Sequence, residues 1–216
     1  MSNTLDLSTY SSNGTPYQVK FINQSPSAWI VYLYQKMPNQ PSEVFSLAWQ
    51  ASPFKVAPNS FFTFKWSIDY SFIWGRTGAL TDGVVFEAGA VLNADPTGNN
   101  QVTFDTANNT PTFSNLSSGG QAGKLTIIEG SNMPNNIYST GIGMSGQGAF
   151  VQQVLTNTTQ IYTPEPLYFI AAGQGIQMGQ VLAQTVTNAS ELKYSGNVYS
   201  LVALLTETQQ WSIVPA

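Results

Sequence analysis

Large apolar side chains alternate with smaller residues between positions 62 and 74, and this pattern constrains the fold more than any other feature. The apolar set begins at Phe62 and ends at Trp74, and six of its seven members are aromatic. Only a β-strand sends alternate side chains to opposite faces, so the pattern predicts a strand with one buried face. At about 3.3 Å per residue the run is far longer than a common strand. We therefore expect one long bent strand, kinked near residues 67–69.

Further strand candidates recur along the chain at short intervals and are separated by turn residues. Residues 108–123 are rich in Asn, Ser, Thr and Gly and predict a loop. The succession is typical of an antiparallel fold, and it predicts an all-β, single-domain antiparallel β-sandwich of the jelly-roll or Greek-key type over residues 1–216. Residues 1–16 form a polar N-terminal leader in this prediction. The strand candidates, 12 in number, are residues 17–22, 29–34, 44–49, 62–74, 84–91, 102–104, 125–128, 150–155, 168–172, 181–186, 198–205 and 211–214.

The chain carries few charges, and this limits its partners. Charged residues make up 8% of the sequence, where about 25% is usual. The net charge is −4, and the cationic side chains are Arg76 and six scattered lysines. No basic stripe is present, so we do not expect a nucleic-acid partner. A surface of amides and hydroxyls gives little electrostatic protection against pairing of strand edges, so we expect a homo-oligomer or another ordered assembly of this chain.

The sequence contains no histidine and no cysteine, which excludes several kinds of chemistry. Ser-His-Asp and Cys-His sites, zinc sites built on His or Cys, and disulfides cannot form. The first ten residues lack the pattern of a secretory signal, and no segment approaches about 18 continuous apolar residues. We therefore expect no membrane span and synthesis in the cytoplasm, with release by a route other than Sec left open.

Carboxylates are the remaining groups for acid–base catalysis. Glu87, Glu129, Glu165 and Glu207 lie on or near predicted strands, and a glycosidase would need two carboxylates facing each other across a cleft. Spacing in the sequence does not show that any two of them meet, so the favoured interpretation is solvated surface groups. We therefore predict a protein that is not an enzyme and that needs no cofactor.

Two short motifs match functional patterns, but their sequence context favours structural interpretations. Residues 141–146 read GIGMSG and match the dinucleotide pattern, but a strand and not a helix follows them, so we expect a glycine-rich bulge or a close crossing of two strands. Residues 95–100 read DPTGNN and could offer oxygens to a calcium ion, but they lack the spacing of an EF-hand. A turn stabilised by Asp95 is the favoured interpretation, and we predict no metal site.

Aromatic side chains beside amides or a guanidinium would suit a sugar. Stacking on an exposed ring and hydrogen bonds from amides are the usual means of binding carbohydrate. This interpretation predicts a ligand or interaction surface, and its five candidate residues are Trp74, Arg76, Gln209, Gln210 and Trp211.

Several segments in order resemble one bacterial family. They include VYLYQKMP at 31–38, SLAW at 46–49, FKWSIDYSFIW at 64–74, GIGMSG at 141–146 and TPEPLY at 163–168. Together they resemble the rhizosphere-expressed RhiA proteins of rhizobia and their bacterial relatives. The resemblance implies a bacterial accessory protein made under quorum-sensing control in the root environment and cytoplasmic in origin. It implies no catalytic residues. Arg76 stands where an acidic residue is expected, so any role of Arg76 would be particular to this protein.

Two functions from different classes follow from these observations. The first is a non-enzymatic, self-associating protein that acts through its surface in contact with a host or another cell. The second is a lectin-like module that binds carbohydrate. The first is favoured by the scarcity of charge.

Overall fold

The structure is a computed structural model that describes residues 16–107 and 110–216. The described residues form 17 β-strands and no helix, which confirms the all-β prediction and exceeds the predicted number of strands. Most of the predicted leader lies outside the described residues. The strands are β1 (Tyr17–Asn23), β2 (Ile30–Lys36), β3 (Val44–Ser46), β4 (Gln50–Ala51), β5 (Ser60–Trp66), β6 (Tyr70–Gly75), β7 (Ala90–Ala94), β8 (Gln101–Ala107), β9 (Thr110–Ser117), β10 (Leu125–Glu129), β11 (Ser139–Met144), β12 (Gln147–Gln153), β13 (Thr159–Tyr162), β14 (Leu167–Gly173), β15 (Ala189–Leu192), β16 (Ser200–Leu205) and β17 (Trp211–Pro215).

The strands are arranged in four sheets. Sheet 1 has the order β17-β16-β1-β5, and sheet 2 has the order β15-β14-β2-β4. Sheet 3 has the order β3-β12-β11-β6-β7, and sheet 4 has the order β13-β10-β8-β9. Pairing is antiparallel, as predicted, except between β1 and β16 and between β8 and β10, which pair in parallel. In both exceptions a long connection separates the two strands, and such a connection can bring a strand back in parallel.

The sheets face each other in two pairs around a shared core. Trp66 of sheet 1 packs on Tyr168 of sheet 2 with ring centroids 5.3 Å apart. Trp74 of sheet 3 packs on Phe104 of sheet 4 with centroids 5.5 Å apart. One cluster of buried apolar side chains includes residues from all four sheets. This packing is compatible with the predicted β-sandwich. Within the described residues no helix has the length and hydropathy needed to cross a membrane.

The run from 62 to 74 forms two strands and not one. β5 ends at Trp66 in sheet 1, and β6 begins at Tyr70 in sheet 3, so the expectation of a single bent strand was wrong. Ile68 lies between the two strands and is exposed, although it is in phase with the aromatic residues. The turn between the strands contains three residues, so Tyr70 follows Trp66 by an even number of positions and the apolar residues of β6 stay in phase with those of β5. Ser67 and Ser71 were expected on a solvated face and are buried.

Three other segments differ from the sequence prediction. Residues 84–91 and 181–186 were predicted as strands, but only residues 90 and 91 belong to one, β7, and the rest contribute isolated bridges such as that between Val85 and Gln180. Phe86 and Val181 pack against sheet 3, whereas Leu182 and Val186 pack against sheet 2. Residues 108–123 were predicted as a loop, but Thr110–Ser117 forms β9. β9 is an edge strand with exposed positions, which suits its polar composition.

The glycine-rich segment at 141–146 is strand β11 and its turn, as the favoured interpretation required. A Cβ atom placed on Gly141 would lie 1.9 Å from the carbonyl oxygen of Phe150 on β12. A change of register, typical of a bulge, follows Ile142. The glycines therefore allow two strands to approach closely, and the segment does not lead into a helix that could bind a dinucleotide.

Candidate functional site

An open groove lies where β5 and β4 end their sheets. β5 is the last strand of sheet 1, and β4 is the last strand of sheet 2, so both present an unpaired edge. The groove between them has a volume of about 560 Å³. We call it the edge groove. Its lining comes from β4, β5 and the two turns that close one end, and it consists of Pro16, Gln50, Ala51, Phe62, Thr63, Phe64, Lys65, Trp66, Ser67, Asp69, Ser145, Gln147 and Met178.

The hydrogen bonds of β1 establish the direction of its backbone groups. The N–H of Gln18 donates to the carbonyl of Tyr199 at 2.9 Å, and the N–H of Gln24 donates to the carbonyl of Leu205 at 2.9 Å. The backbone N–H and C=O groups of the even-numbered residues of β1 therefore point towards β16. Because backbone groups alternate in direction along a strand, the N–H and C=O groups of the odd-numbered residues of β1 point towards β5.

This alternation identifies the unpaired backbone groups of β5. Phe62 and Phe64 are opposite odd-numbered residues of β1, so their N–H and C=O groups are used within the sheet. The corresponding groups of Phe61, Thr63 and Lys65 point away from β1, towards the edge groove. Among the described residues, their N–H groups have no hydrogen-bond partner, and the Lys65 carbonyl accepts one long bond of 3.4 Å from the Gln50 side chain. The groove thus offers backbone donors and acceptors to a partner.

Exposed aromatic side chains border the free edge. Phe61 is 62% exposed and Phe54 is 59% exposed, which is unusual for residues of this size. The Phe54 ring lies 6.0 Å from that of Phe62 in an edge-to-face arrangement. The ammonium group of Lys20 lies 4.4 Å from the centroid of the Phe61 ring, so this ring already binds a cation. The border of the groove is therefore apolar and can also accept positive charge.

One end of the edge groove is closed by a contact between two turns. The carboxylate of Asp69 accepts hydrogen bonds from the Ser145 N–H and, at 3.0 Å, from the Ser67 hydroxyl. The Ser145 hydroxyl donates to the Ser67 carbonyl at 2.8 Å and accepts from the Ser67 N–H at 3.0 Å. Ser145 has a φ of 51°, a left-handed conformation that these bonds stabilise. The contact fixes the turn after β5 against the turn between β11 and β12.

The chemistry of the edge groove favours binding. Ser145 donates its hydroxyl proton to a main-chain carbonyl, so it is not paired with a base as a nucleophile would be. The remaining polar side chains, such as Gln50 and Gln147, are amides that can donate and accept hydrogen bonds. An extended backbone or a polyhydroxylated ligand would match these groups.

The predicted surface at Trp74 and Arg76 is only partly exposed. Trp74 is half-buried, and its ring packs on Phe104 and lies 6.0 Å from the ring of Tyr138. The indole N–H of Trp74 is buried and has no hydrogen-bond partner within residues 16–107 and 110–216. Arg76 follows β6 and is exposed. Trp74 therefore contributes mainly to the interior between sheets 3 and 4.

The other predicted surface, at Gln209, Gln210 and Trp211, lies on a different sheet. Gln209 and Gln210 are exposed in the turn between β16 and β17. Trp211 is half-buried, its ring lies 5.8 Å from that of Phe21, and its N–H donates to the carbonyl of Asn188 at 3.0 Å. The structure does not bring this surface and Trp74 into one sheet.

The four candidate glutamates have two kinds of environment. Glu87, Glu165 and Glu207 are exposed, whereas Glu129 is 2% exposed at the end of β10. Glu129 accepts a hydrogen bond of 2.6 Å from the Thr140 hydroxyl through Oε1. Its Oε2 atom is buried and has no hydrogen-bond partner in the described part of the chain. Burial raises the pKa of Glu129 to about 7.

The turn that begins at Asp95 has the favoured Asx geometry. Oδ1 of Asp95 accepts the Thr97 N–H at 2.8 Å and the Thr97 hydroxyl at 2.7 Å. These hydrogen bonds lower the pKa of Asp95. Among the described residues no group of three or more acidic side chains is placed to bind a metal ion.

Sequence reasoning missed the edge groove. The free strand edge at Phe61, Thr63 and Lys65 was not a candidate, and neither was the exposed ring of Phe54 beside it. One signal was available, because Phe61 falls on the polar side of the alternation that begins at Phe62. A large aromatic residue out of phase at the start of a strand indicates an apolar side chain on the solvated face.

Comparison with known proteins identifies the family. A sequence model of the RhiA family matches residues 14–216. The chain is 41% identical over 206 residues to Protein RhiA of Rhizobium leguminosarum bv. viciae, a match that covers 95% of this chain and 89% of the relative. No solved structure matches the chain. The family match covers nearly the whole sequence, and the chain therefore belongs to the RhiA family.

Proposed function

We propose that this protein is a non-enzymatic accessory protein that associates with itself and acts through its surface in contact with a host or another cell. The observation that supports the proposal most directly is the free edge of β5, where three residues direct unpaired backbone groups into the edge groove. An open strand edge beside exposed aromatic rings is a surface on which another chain can add.

The distribution of charge supports self-association. Proteins that remain monomeric usually place charged residues or proline on their exposed edges. β5 contains one charged residue, Lys65, and no proline. With charged residues at 8% of the chain, repulsion between copies is weak.

The non-enzymatic part of the proposal is supported by side-chain chemistry. The sequence supplies no histidine or cysteine, and the Ser145 hydroxyl in the edge groove is bonded to a main-chain carbonyl. Glu129 has a raised pKa, as catalytic acids often do, but it is buried among strands and its side-chain neighbour is the hydroxyl of Thr140. Burial alone accounts for its pKa.

Light scattering across a range of protein concentration tests the proposal. The chain has a mass of 23.4 kDa. We expect the average mass to rise with concentration and to fall again on dilution. A mass that stays at that of one chain over a thousandfold range of concentration would exclude self-association.

A second candidate function is binding of carbohydrate in the edge groove. The observation that favours it is that Phe62, the amides of Gln50 and Gln147 and the carboxylate of Asp69 line the same groove. Rings and amides in one groove provide a stacking surface and hydrogen-bond partners for sugar hydroxyls. A glycan array followed by titration against tryptophan fluorescence is the test, because Trp66 lines the groove. Absence of binding at millimolar sugar would exclude this function.

A further inference from the structure

We infer that a second copy of this chain adds to the free edge of β5, so that the two β5 strands pair antiparallel about a two-fold axis at Thr63. The inference rests on the proposed self-association and specifies its contact surface.

The backbone of β5 is self-complementary about Thr63. The outward residues are Phe61, Thr63 and Lys65, with Thr63 at their centre. In an antiparallel pair centred there, Thr63 is opposite the partner's Thr63, and Phe61 is opposite the partner's Lys65. Each such position is a hydrogen-bonded pair that exchanges two bonds, so the three positions supply about six bonds between the chains. No outward N–H or C=O group would then remain unpaired.

The side chains on the solvated face match in the same register. Lys65 is directly opposite the partner's Phe61, and the ring of Phe61 already binds the ammonium group of Lys20 at 4.4 Å. A lysine opposite an aromatic ring gives a favourable cation–π contact, whereas a shift that opposed two lysines would be unfavourable. The two Lys65 side chains lie at opposite ends of the pair. The register therefore keeps the two Lys65 side chains apart.

The side chains on the other face also favour this register. Phe62 is opposite the partner's Phe64, and within one chain the two rings already pack at 4.9 Å. Phe62 is half-buried in the single chain and Phe54 beside it is largely exposed. Pairing of the edges would bring aromatic rings of both copies together and reduce this exposure.

The other long edge strand in the described residues is less suited to pairing. β9 has eight residues, but Pro111 cannot donate a backbone hydrogen bond and Asn115 has a φ of 52°. The register of β9 with β8 is also irregular. β5 has neither interruption, and its pairing with β1 is continuous over all seven residues.

Sedimentation of two variants and their controls tests the inference. Thr63→Pro removes the central outward N–H but no bond to β1, and Lys65→Glu reverses the charge opposite the partner's Phe61. The controls are Ile161→Pro, which places a proline at an exposed position on another edge strand, β13, and Lys193→Glu, which makes the same charge change at another exposed site. We expect each test variant to raise the dimer dissociation constant at least tenfold and each control to leave it within about twofold. Thermal melts separate loss of fold from loss of pairing.

Hydrogen exchange of the wild-type chain gives an independent readout. We expect exchange of the Phe61, Thr63 and Lys65 amides to slow as protein concentration rises. If the chain self-associates while these amides and both test variants are unaffected, the contact lies elsewhere and the inference fails, although the proposed function stands. If the wild-type chain never self-associates, both fail. Protection of the three amides at concentrations where light scattering finds a single chain would show an occupant from the same chain and would also overturn the inference.

Discussion

The carboxylate of Asp69 accepts the backbone N–H of Ser145, and this bond joins the turn after β5 to the turn between β11 and β12. The same carboxylate accepts the Ser67 hydroxyl at 3.0 Å. Because the first turn connects sheet 1 to sheet 3 and the second lies within sheet 3, the contact holds the end of the edge groove in place.

Replacement of Asp69 should therefore destabilise the fold. Asp69→Ala removes the acceptor of the Ser67 hydroxyl and leaves the Ser145 N–H only its long bond of 3.3 Å to the main-chain carbonyl of residue 69, which costs about 1 to 3 kcal/mol in the free energy of unfolding. The matched control is Asp82→Ala, because Asp82 is exposed. Chemical denaturation of both variants measures the difference, and equal stabilities would contradict the proposed role of the contact.

The buried Glu129 should make stability depend on pH. Burial raises the pKa of Glu129 from 4.5 to about 7, so the folded state retains a proton that the unfolded state has lost between these values. The contribution of Glu129 to stability is therefore fully present below about pH 4.5 and is lost as pH rises to about 7. The total loss is on the order of 3 kcal/mol.

Comparison with Glu129→Gln isolates this contribution. An amide keeps an acceptor for the Thr140 hydroxyl and cannot ionise. Denaturation of wild type and variant at a series of pH values should show the wild type losing stability relative to the variant across the window. A constant difference between the two proteins would show that Glu129 does not titrate there.

Gly141 should not tolerate a side chain. A Cβ atom there would lie 1.9 Å from the Phe150 carbonyl oxygen, which is backbone and cannot move without disturbing β12. We expect Gly141→Ala to destabilise the chain by about 3 kcal/mol or more. The matched control is Gly175→Ala, because no atom lies within 4 Å of its added Cβ, and its cost should be below about 0.5 kcal/mol. Thermal denaturation would refute the assignment if the two variants melted together.

The aromatic residue at the end of β5 should be essential to the core. Trp66 is 4% exposed and contacts the rings of Trp49, Tyr168 and Tyr194. Trp66→Ala should cost about 3 to 5 kcal/mol through the cavity that it leaves. Lys65→Ser, at an exposed position, should remain within about 0.5 kcal/mol of wild type in the monomer. Denaturant titrations compare the two, and a wild-type stability for Trp66→Ala would contradict its burial.

The sequence predicted the fold class because alternation of side chains depends on local geometry. It did not predict the break between Trp66 and Tyr70, since Ile68 keeps the apolar phase while it lies in a turn and is exposed. The alternation placed Ser67 on the face opposite the aromatic side chains. The structure buries Ser67 against Asp69 and Ser145, so its environment depends on a turn 78 residues away in the sequence.

The candidate site could be predicted only in part, for a similar reason. The scarcity of charge indicated exposed strand edges, but strand order decides which edge is free, and strand order depends on long-range pairing. Tryptophans were chosen because exposed rings bind sugars, yet Trp74 and Trp211 pack on Phe104 and Phe21. Likewise, Glu129 resembles other glutamates in the sequence, and its raised pKa follows from burial in the assembled fold.

Cross-linking through Thr63 tests the central claim, pairing of two β5 edges, most directly. The chain contains no cysteine, so Thr63→Cys introduces a single thiol. In the inferred pair the two Cα atoms at position 63 are about 5.5 Å apart, which a disulfide can span. The control, Ser212→Cys, places a thiol at an exposed position on β17, another edge of sheet 1. Under mild oxidation we predict that Thr63→Cys forms a covalent dimer of twice 23.4 kDa much faster than the control. Equal rates for the two variants, or no dimer with Thr63→Cys, would contradict the account.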